Sequence, residues 1–142
     1  MTRIVEAEEF RLVDSEGRLR ARLGLDAGSC VSLSLHTAQG TLKVRLHTDD
    51  QGCSAVQIHD KEGASPRVDI SVDAIGCHVL LKSPAKQQSY LFLKDTGATG
   101  LVLTDAEGTR RAQFMLSPEG RAEVSVWGAA ETTGEGSGSK QP

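Results

Sequence analysis

At 142 residues and a formal net charge of -3, the chain has the size of one domain and lacks the basic surplus of a dedicated nucleic-acid binder. The amino-terminal Met1-Thr2-Arg3-Ile4-Val5-Glu6 is not an apolar leader, and no stretch approaches the roughly twenty apolar residues of a spanning helix. The expectation is a cytoplasmic protein with neither nucleic acid nor membrane as partner.

A turn signature returns every eleven or twelve residues along most of the chain. It reads Asp14-Ser15-Glu16-Gly17, Thr37-Ala38-Gln39-Gly40, Asp49-Asp50-Gln51-Gly52, Asp60-Lys61-Glu62-Gly63, Asp73-Ala74-Ile75-Gly76, Asp105-Ala106-Glu107-Gly108 and Ser117-Pro118-Glu119-Gly120. In each, the first side chain can bond the backbone two residues on, and glycine takes the left-handed position that closes a three-residue hairpin with a G1 bulge. Between turns the apolar residues alternate with period two. Leu19, Ala21, Leu23 and Leu25 interleave with Arg18, Arg20 and Arg22, and the same pattern holds for Val31-Leu33-Leu35, Leu42-Val44-Leu46, Val68-Ile70-Val72 and Val124-Val126. These are half-buried antiparallel strands, with almost no helix expected.

In chain order the strands fall at about 3–13, 18–25, 30–36, 41–48, 53–59, 64–72, 77–82, 87–94, 100–104, 109–116 and 121–127. Two turns look irregular: Lys82-Ser83-Pro84-Ala85-Lys86 has no glycine, and Lys94 to Gly100 is longer, which leaves register around Tyr90 the least fixed. Residues 1–127 form one hairpin-repeat domain. Residues 128–142 carry nothing apolar larger than alanine and read as a disordered tail.

Pairs of strands make a repeat of about 23 residues, counted from Gly17 to Gly40 to Gly63, with a degenerate unit at 79–95 before Gly108. Repetition of this kind serves architecture rather than catalysis. The units share a phrase, Leu12-Val13-Asp14-Ser15-Glu16-Gly17-Arg18-Leu19-Arg20-Ala21-Arg22-Leu23 and again Leu103-Thr104-Asp105-Ala106-Glu107-Gly108-Thr109-Arg110-Arg111-Ala112-Gln113-Phe114. Over residues 10–126 the chain resembles uncharacterised bacterial tandem-hairpin proteins of the form LxDxxGxxRAxL, a pattern also met in phage-fibre-like chains. The resemblance implies a repeat fold and no activity.

Polar residues offer few constellations. Cys30, Cys53 and Cys77 are 23 and 24 residues apart, follow Gly28, Gly52 and Gly76, and read as equivalent, semi-buried strand-start positions beyond disulfide reach of one another. His36, His47, His59 and His78 read as solvated residues of the polar face rather than metal ligands. The turn carboxylates form turns rather than a calcium site, and strand cations such as Arg20, Arg22, Lys43, Arg45, Arg67 and Arg111 should pair across strands with Asp69 and Glu123. No cofactor, metal or catalytic group is expected.

The residues that matter most are therefore structural. Asp14, Gly17, Gly40, Asp60, Gly63, Asp105, Gly108 and Gly120 make the turns, while Leu23, Leu33, Leu35, Val44, Leu46, Ile58, Ile70, Leu101, Leu103, Phe114 and Val126 form the core or a subunit contact. One sheet of some eleven strands would expose more apolar surface than a soluble monomer tolerates. It must fold into a sandwich, close into a barrel, or pack against copies of itself. The expected function is a non-catalytic assembly module that self-associates or scaffolds another protein. The alternative is a barrel carrier for an apolar small molecule.

Overall fold

The turns begin with side chains that close them. Asp14 Oδ1 accepts from the backbone N–H of Glu16 and Arg18, both at 3.0 Å, and the Gly17 N–H reaches the Asp14 carbonyl at 2.9 Å. Asp49 and Asp105 repeat this, Asp60 takes the N–H of Glu62 and Gly63, and Thr37, Ser83 and Ser117 substitute a hydroxyl. The fourth residue is then left-handed, with φ of +76° at Gly17, +81° at Gly40, +73° at Gly63, +83° at Gly108 and +81° at Gly120. Side-chain closure and a left-handed fourth residue together commit each segment to a hairpin.

The structure, a computed structural model, describes residues 4–26 and 30–128. The expected tail falls outside these from residue 129 onward, as does Gly28. Eleven strands follow one another: β1 Glu9–Val13, β2 Leu19–Leu25, β3 Val31–His36, β4 Leu42–Thr48, β5 Ser54–His59, β6 Pro66–Asp73, β7 Gly76–Lys82, β8 Gln88–Lys94, β9 Thr99–Thr104, β10 Arg110–Leu116 and β11 Ala122–Val126. They form a single antiparallel meander in the order β1 to β11, and no helix occurs among the described residues. The all-β meander read from the sequence is the fold.

Several expectations need correction. β1 begins at Glu9 rather than residue 3, because Glu9 pairs with Gly24 and β2 ends at Leu25, leaving Ile4 and Val5 without a partner strand. The turn at Asp73 is one residue tighter than its siblings: Asp73 pairs directly with Gly76, whose φ of +146° differs from the other turn glycines. The two turns read as irregular are regular. Lys86 takes the glycine position with φ +67°, Gly97 does so at +88°, and the register from β7 through β9 runs without a shift.

The 23-residue period has a physical form beyond turn spacing. Register shifts fall at Leu12/Val13, Leu35/His36, Ile58/His59 and Arg110/Ala112, the same place in successive hairpins, and the degenerate unit is the one without a shift. In each the extra residue is basic: Arg20, Lys43, Arg67 and Arg111.

Strand contacts link only sequence neighbours, so one layer makes the whole described fold. Among the described residues β1 pairs only with β2 and β11 only with β10, so these strands close into neither a barrel nor a sandwich. What is buried lies on the polar face: Ser32, Ser34, Ala55, Phe92 and Val102. Ser32 donates to Asp26 Oδ2 at 2.6 Å, and Arg22 and Arg45 lie across this small-residue strip to reach the same carboxylate. Their aliphatic stems supply the cover that a second layer would otherwise give.

Candidate functional site

The antiparallel register assembles the apolar residues into rows. Phe10, Leu23, Leu33, Leu46, Val56, Ile70, Val79, Leu91, Leu101, Phe114 and Val124 are successive cross-strand partners, one from every strand. A second row beside it carries Leu12, Ala21, Leu35, Val44, Ile58, Val68, Leu81, Ser89, Leu103, Ala112 and Val126. All eleven residues expected to form core or contact lie in these two rows. They are not buried in the protomer: Leu33 is 39 % exposed, Leu46 51 % and Val126 63 %, with Leu23, Leu35, Ile58, Ile70 and Phe114 between and Val44, Leu101 and Leu103 half-buried. Core in the sense of a covered interior is therefore the wrong description within one chain; the rows form an open apolar face.

The opposite face carries the titratable groups. The four histidines sit there, but half-buried rather than solvated. His36 Nε2 lies 3.0 Å from Ser34 Oγ, His47 Nδ1 3.7 Å from Cys30 Sγ, and both ring nitrogens of His59 are buried without a partner. His78 bridges Tyr90, whose hydroxyl lies 2.5 Å from Nδ1, and Asp73, whose carboxylate lies 3.2 Å from Nε2. A neutral ring satisfies both contacts: Nδ1 accepts from the phenol and Nε2–H donates to the carboxylate. Bonds from the Ile75 backbone N–H and from His78 hold Asp73 below the usual carboxylate range, and burial pushes the Tyr90 phenol up. These bonds fix the orientation of the His78 and Tyr90 rings.

Those rings floor a concavity of about 840 Å³ over β6 to β10. Tyr90 stacks on His78 at 5.7 Å and on Phe92 at 5.4 Å, and Leu80, Val102 and Met115 complete its apolar part. Gly100 makes room: a Cβ there would lie 2.6 Å from Met115 Sδ and from the Phe114 carbonyl oxygen. Sequence reasoning missed this cluster because alternation places Leu80, Tyr90, Phe92 and Val102 on the polar side of their strands, and no spacing rule marks them.

Four of the six strand cations form ion pairs, with partners other than those expected; Lys43 Nζ donates to the Asp60 backbone carbonyl, and Arg67 has no ion pair or side-chain hydrogen bond among the described residues. Asp69 accepts from Gln57 and Glu123 from Gln113 and Ser125, while Arg18 and Arg20 go to Asp14, Arg22 and Arg45 to Asp26, Arg22 also to Glu9, and Arg111 to Asp105. At Arg20 and Arg111 the bulge aims the residue at the hairpin end rather than across the ladder, so the turn carboxylates Asp14 and Asp105 are reached first. Burial disfavours the Asp14 carboxylate, but the Arg18 guanidinium and the Arg18 and Glu16 N–H groups outweigh it and hold the group down at about 2.

Cys30 and Cys53 occupy equivalent places, their carbonyls accepting from Asp26 N–H and Asp49 N–H at 2.8 and 3.0 Å. Cys77 does not. The tighter turn before it puts Cys77 inside β7, exposed on the apolar side opposite Val72 and Leu93. All three are free thiols, and burial pushes Cys53 up. Among the described residues no three His, Cys, Asp or Glu side chains converge as metal ligands, and no helix is long and apolar enough to cross a membrane.

Fold and faces together define an open, single-layer hairpin-repeat sheet with one apolar and one ion-paired side. Neither a protein-family model nor a curated protein matches the chain.

Proposed function

We propose that the protein is a non-catalytic structural module that works by self-association, covering its apolar face with the same face of another copy. The observation that carries this is the uninterrupted row from Phe10 to Val124, one apolar residue per strand and most of them exposed. Eleven strands spaced about 4.8 Å and about six residues long give a face of about 1,000 Å². That exceeds the few hundred square ångströms common on monomers and reaches the roughly 800 Å² per partner of a standard stable interface. Two such faces would stack as the halves of a sandwich, about 10 Å apart.

Sedimentation tests this at micromolar concentration. The native chain is expected to be a defined multimer, and Leu46→Asp to be dissociated, since a buried unpaired carboxylate costs several kcal/mol. A native chain that sediments as a monomer overturns the reading.

A second reading keeps one supporting observation, the concavity above Tyr90, Phe92 and Met115. A carrier would hold an apolar small molecule there, on an open sheet rather than in a barrel. A monomer that releases a lipid on organic extraction would favour it.

A further inference from the structure

We infer that β11 is a pairing edge: it joins β11 of a second copy antiparallel about Val124, extending two meanders into one continuous sheet. The inference goes beyond the stacking of apolar faces and involves the strand's rim and its polar side.

The two edges of the sheet are built differently. β1 carries Glu9 and Arg11, Glu9 pairing with both Arg11 and Arg22, and its pairing with β2 is shifted at Leu12/Val13. Charge and irregularity are the devices by which sheet edges resist further pairing. β11, Ala122-Glu123-Val124-Ser125-Val126, has no lysine, no proline and no register shift, and Glu123 is its single charge.

Hydrogen bonding fixes which groups of β11 are free. Ser117 N–H donates to the Arg121 carbonyl and Trp127 N–H to the Arg111 carbonyl, both at 2.9 Å. With the register between them, these bonds turn the amides of residues 121, 123, 125 and 127 toward β10. The backbone groups of Ala122, Val124 and Val126 therefore point out of the sheet.

A two-fold axis through Val124 matches that set to itself. Val124 meets Val124 of the other copy, and Ala122 meets Val126 twice, so all six outward donors and acceptors pair. The axis is normal to the sheet, which keeps the apolar rows of both copies on one side. On the polar side Glu123 falls opposite Ser125, and Arg121 opposite Trp127. Trp127 is the single tryptophan of the chain, it is 42 % exposed, and Arg121 makes no ion pair among the described residues. Arginine over an indole face, desolvated by pairing, is the kind of contact that anchors interfaces. The same edge laid on β1 of another copy would run parallel and would meet charges instead.

Emission of Trp127 reports on this edge alone, because stacking of apolar faces leaves the polar side untouched. On dilution of the native protein, its emission should shift to the red as the mass falls by half. Val124→Pro deletes an outward N–H that no described strand of its own chain uses, and should halve the mass at unchanged circular dichroism, with Trp127 emission fixed at the exposed wavelength. Arg11→Pro, at the corresponding outward position of β1, should leave both as in the native protein. Val124→Cys should give a disulfide-linked dimer through the 124–124 peptide under mild oxidation. The inference is overturned if Val124→Pro keeps native mass and emission, or if no 124–124 cross-link forms. Either result leaves the apolar-face reading standing, which Leu46→Asp tests separately.

Discussion

At the scale of single residues, one position breaks the pattern that the others obey. Lys86 takes a left-handed backbone that glycine supplies at the equivalent turns, and its N–H still reaches the Ser83 carbonyl at 3.1 Å. A side chain there resists the conformation by about 1 kcal/mol, so Lys86→Gly should raise the urea midpoint by that stability. Gly63→Val should do the reverse and more. Besides φ of +73°, its Cβ would lie 2.7 Å from Thr41 Cγ2 and 3.0 Å from the Leu42 carbonyl oxygen, so a loss above about 2 kcal/mol is expected. Turn acids supply a pH dependence with a definite sign. Asp14 is lowered from an ordinary 3.8 to about 2 in the folded chain. Its contribution is therefore present above pH 3.8 and lost as pH falls toward 2. Urea midpoints of the native chain and Asp14→Asn should differ at neutral pH and converge as pH falls through about 2; a constant difference would mean that the carboxylate's charge contributes nothing.

At the scale of the strand, two glycines make opposite predictions although both sit mid-strand. A Cβ on Gly24 meets only the ends of the Arg22 and Glu9 side chains, no nearer than 3.2 Å, and these can move. Gly24→Val should be neutral or stabilise by about 0.5 to 1 kcal/mol, because a branched side chain suits a strand better than none. Gly100→Val should cost about 3 kcal/mol, since the new atoms collide with the Phe114 carbonyl and displace the Phe92 and Met115 side chains. Thermal unfolding separates the two. The difference also shows what was legible beforehand. Alternation and turn residues placed all eleven strands to within a residue or two at most ends, because period and punctuation are local properties. The packing of Phe92 across Gly100, and the turn of Arg20 and Arg111 toward hairpin ends, depend on register between strands and on bulges, which no single segment encodes. Likewise, the apolar face was legible as a face in need of cover, but whether the chain closes over it by itself was not, because closure depends on how the two edge strands meet.

At the scale of the molecule, a single layer changes what stability means. Among the described residues only Ala55, Phe92 and Val102 are apolar and buried, a small hydrophobic contribution against the conformational entropy of ordering so many strands. Ladder hydrogen bonds replace bonds to water and contribute about 1 kcal/mol each at most, so they do not close that gap alone. If copies of the chain cover the apolar rows, association supplies the missing burial, and folding and assembly become one equilibrium governed by mass action. The melting temperature should then rise with protein concentration over the range in which sedimentation shows the multimer forming. Leu46→Asp, which puts a carboxylate into the main row, should melt lower and show a weaker dependence. A melting temperature that stays constant over a hundredfold dilution would mean that the sheet carries its own stability, and the apolar face would then need a different partner to explain it.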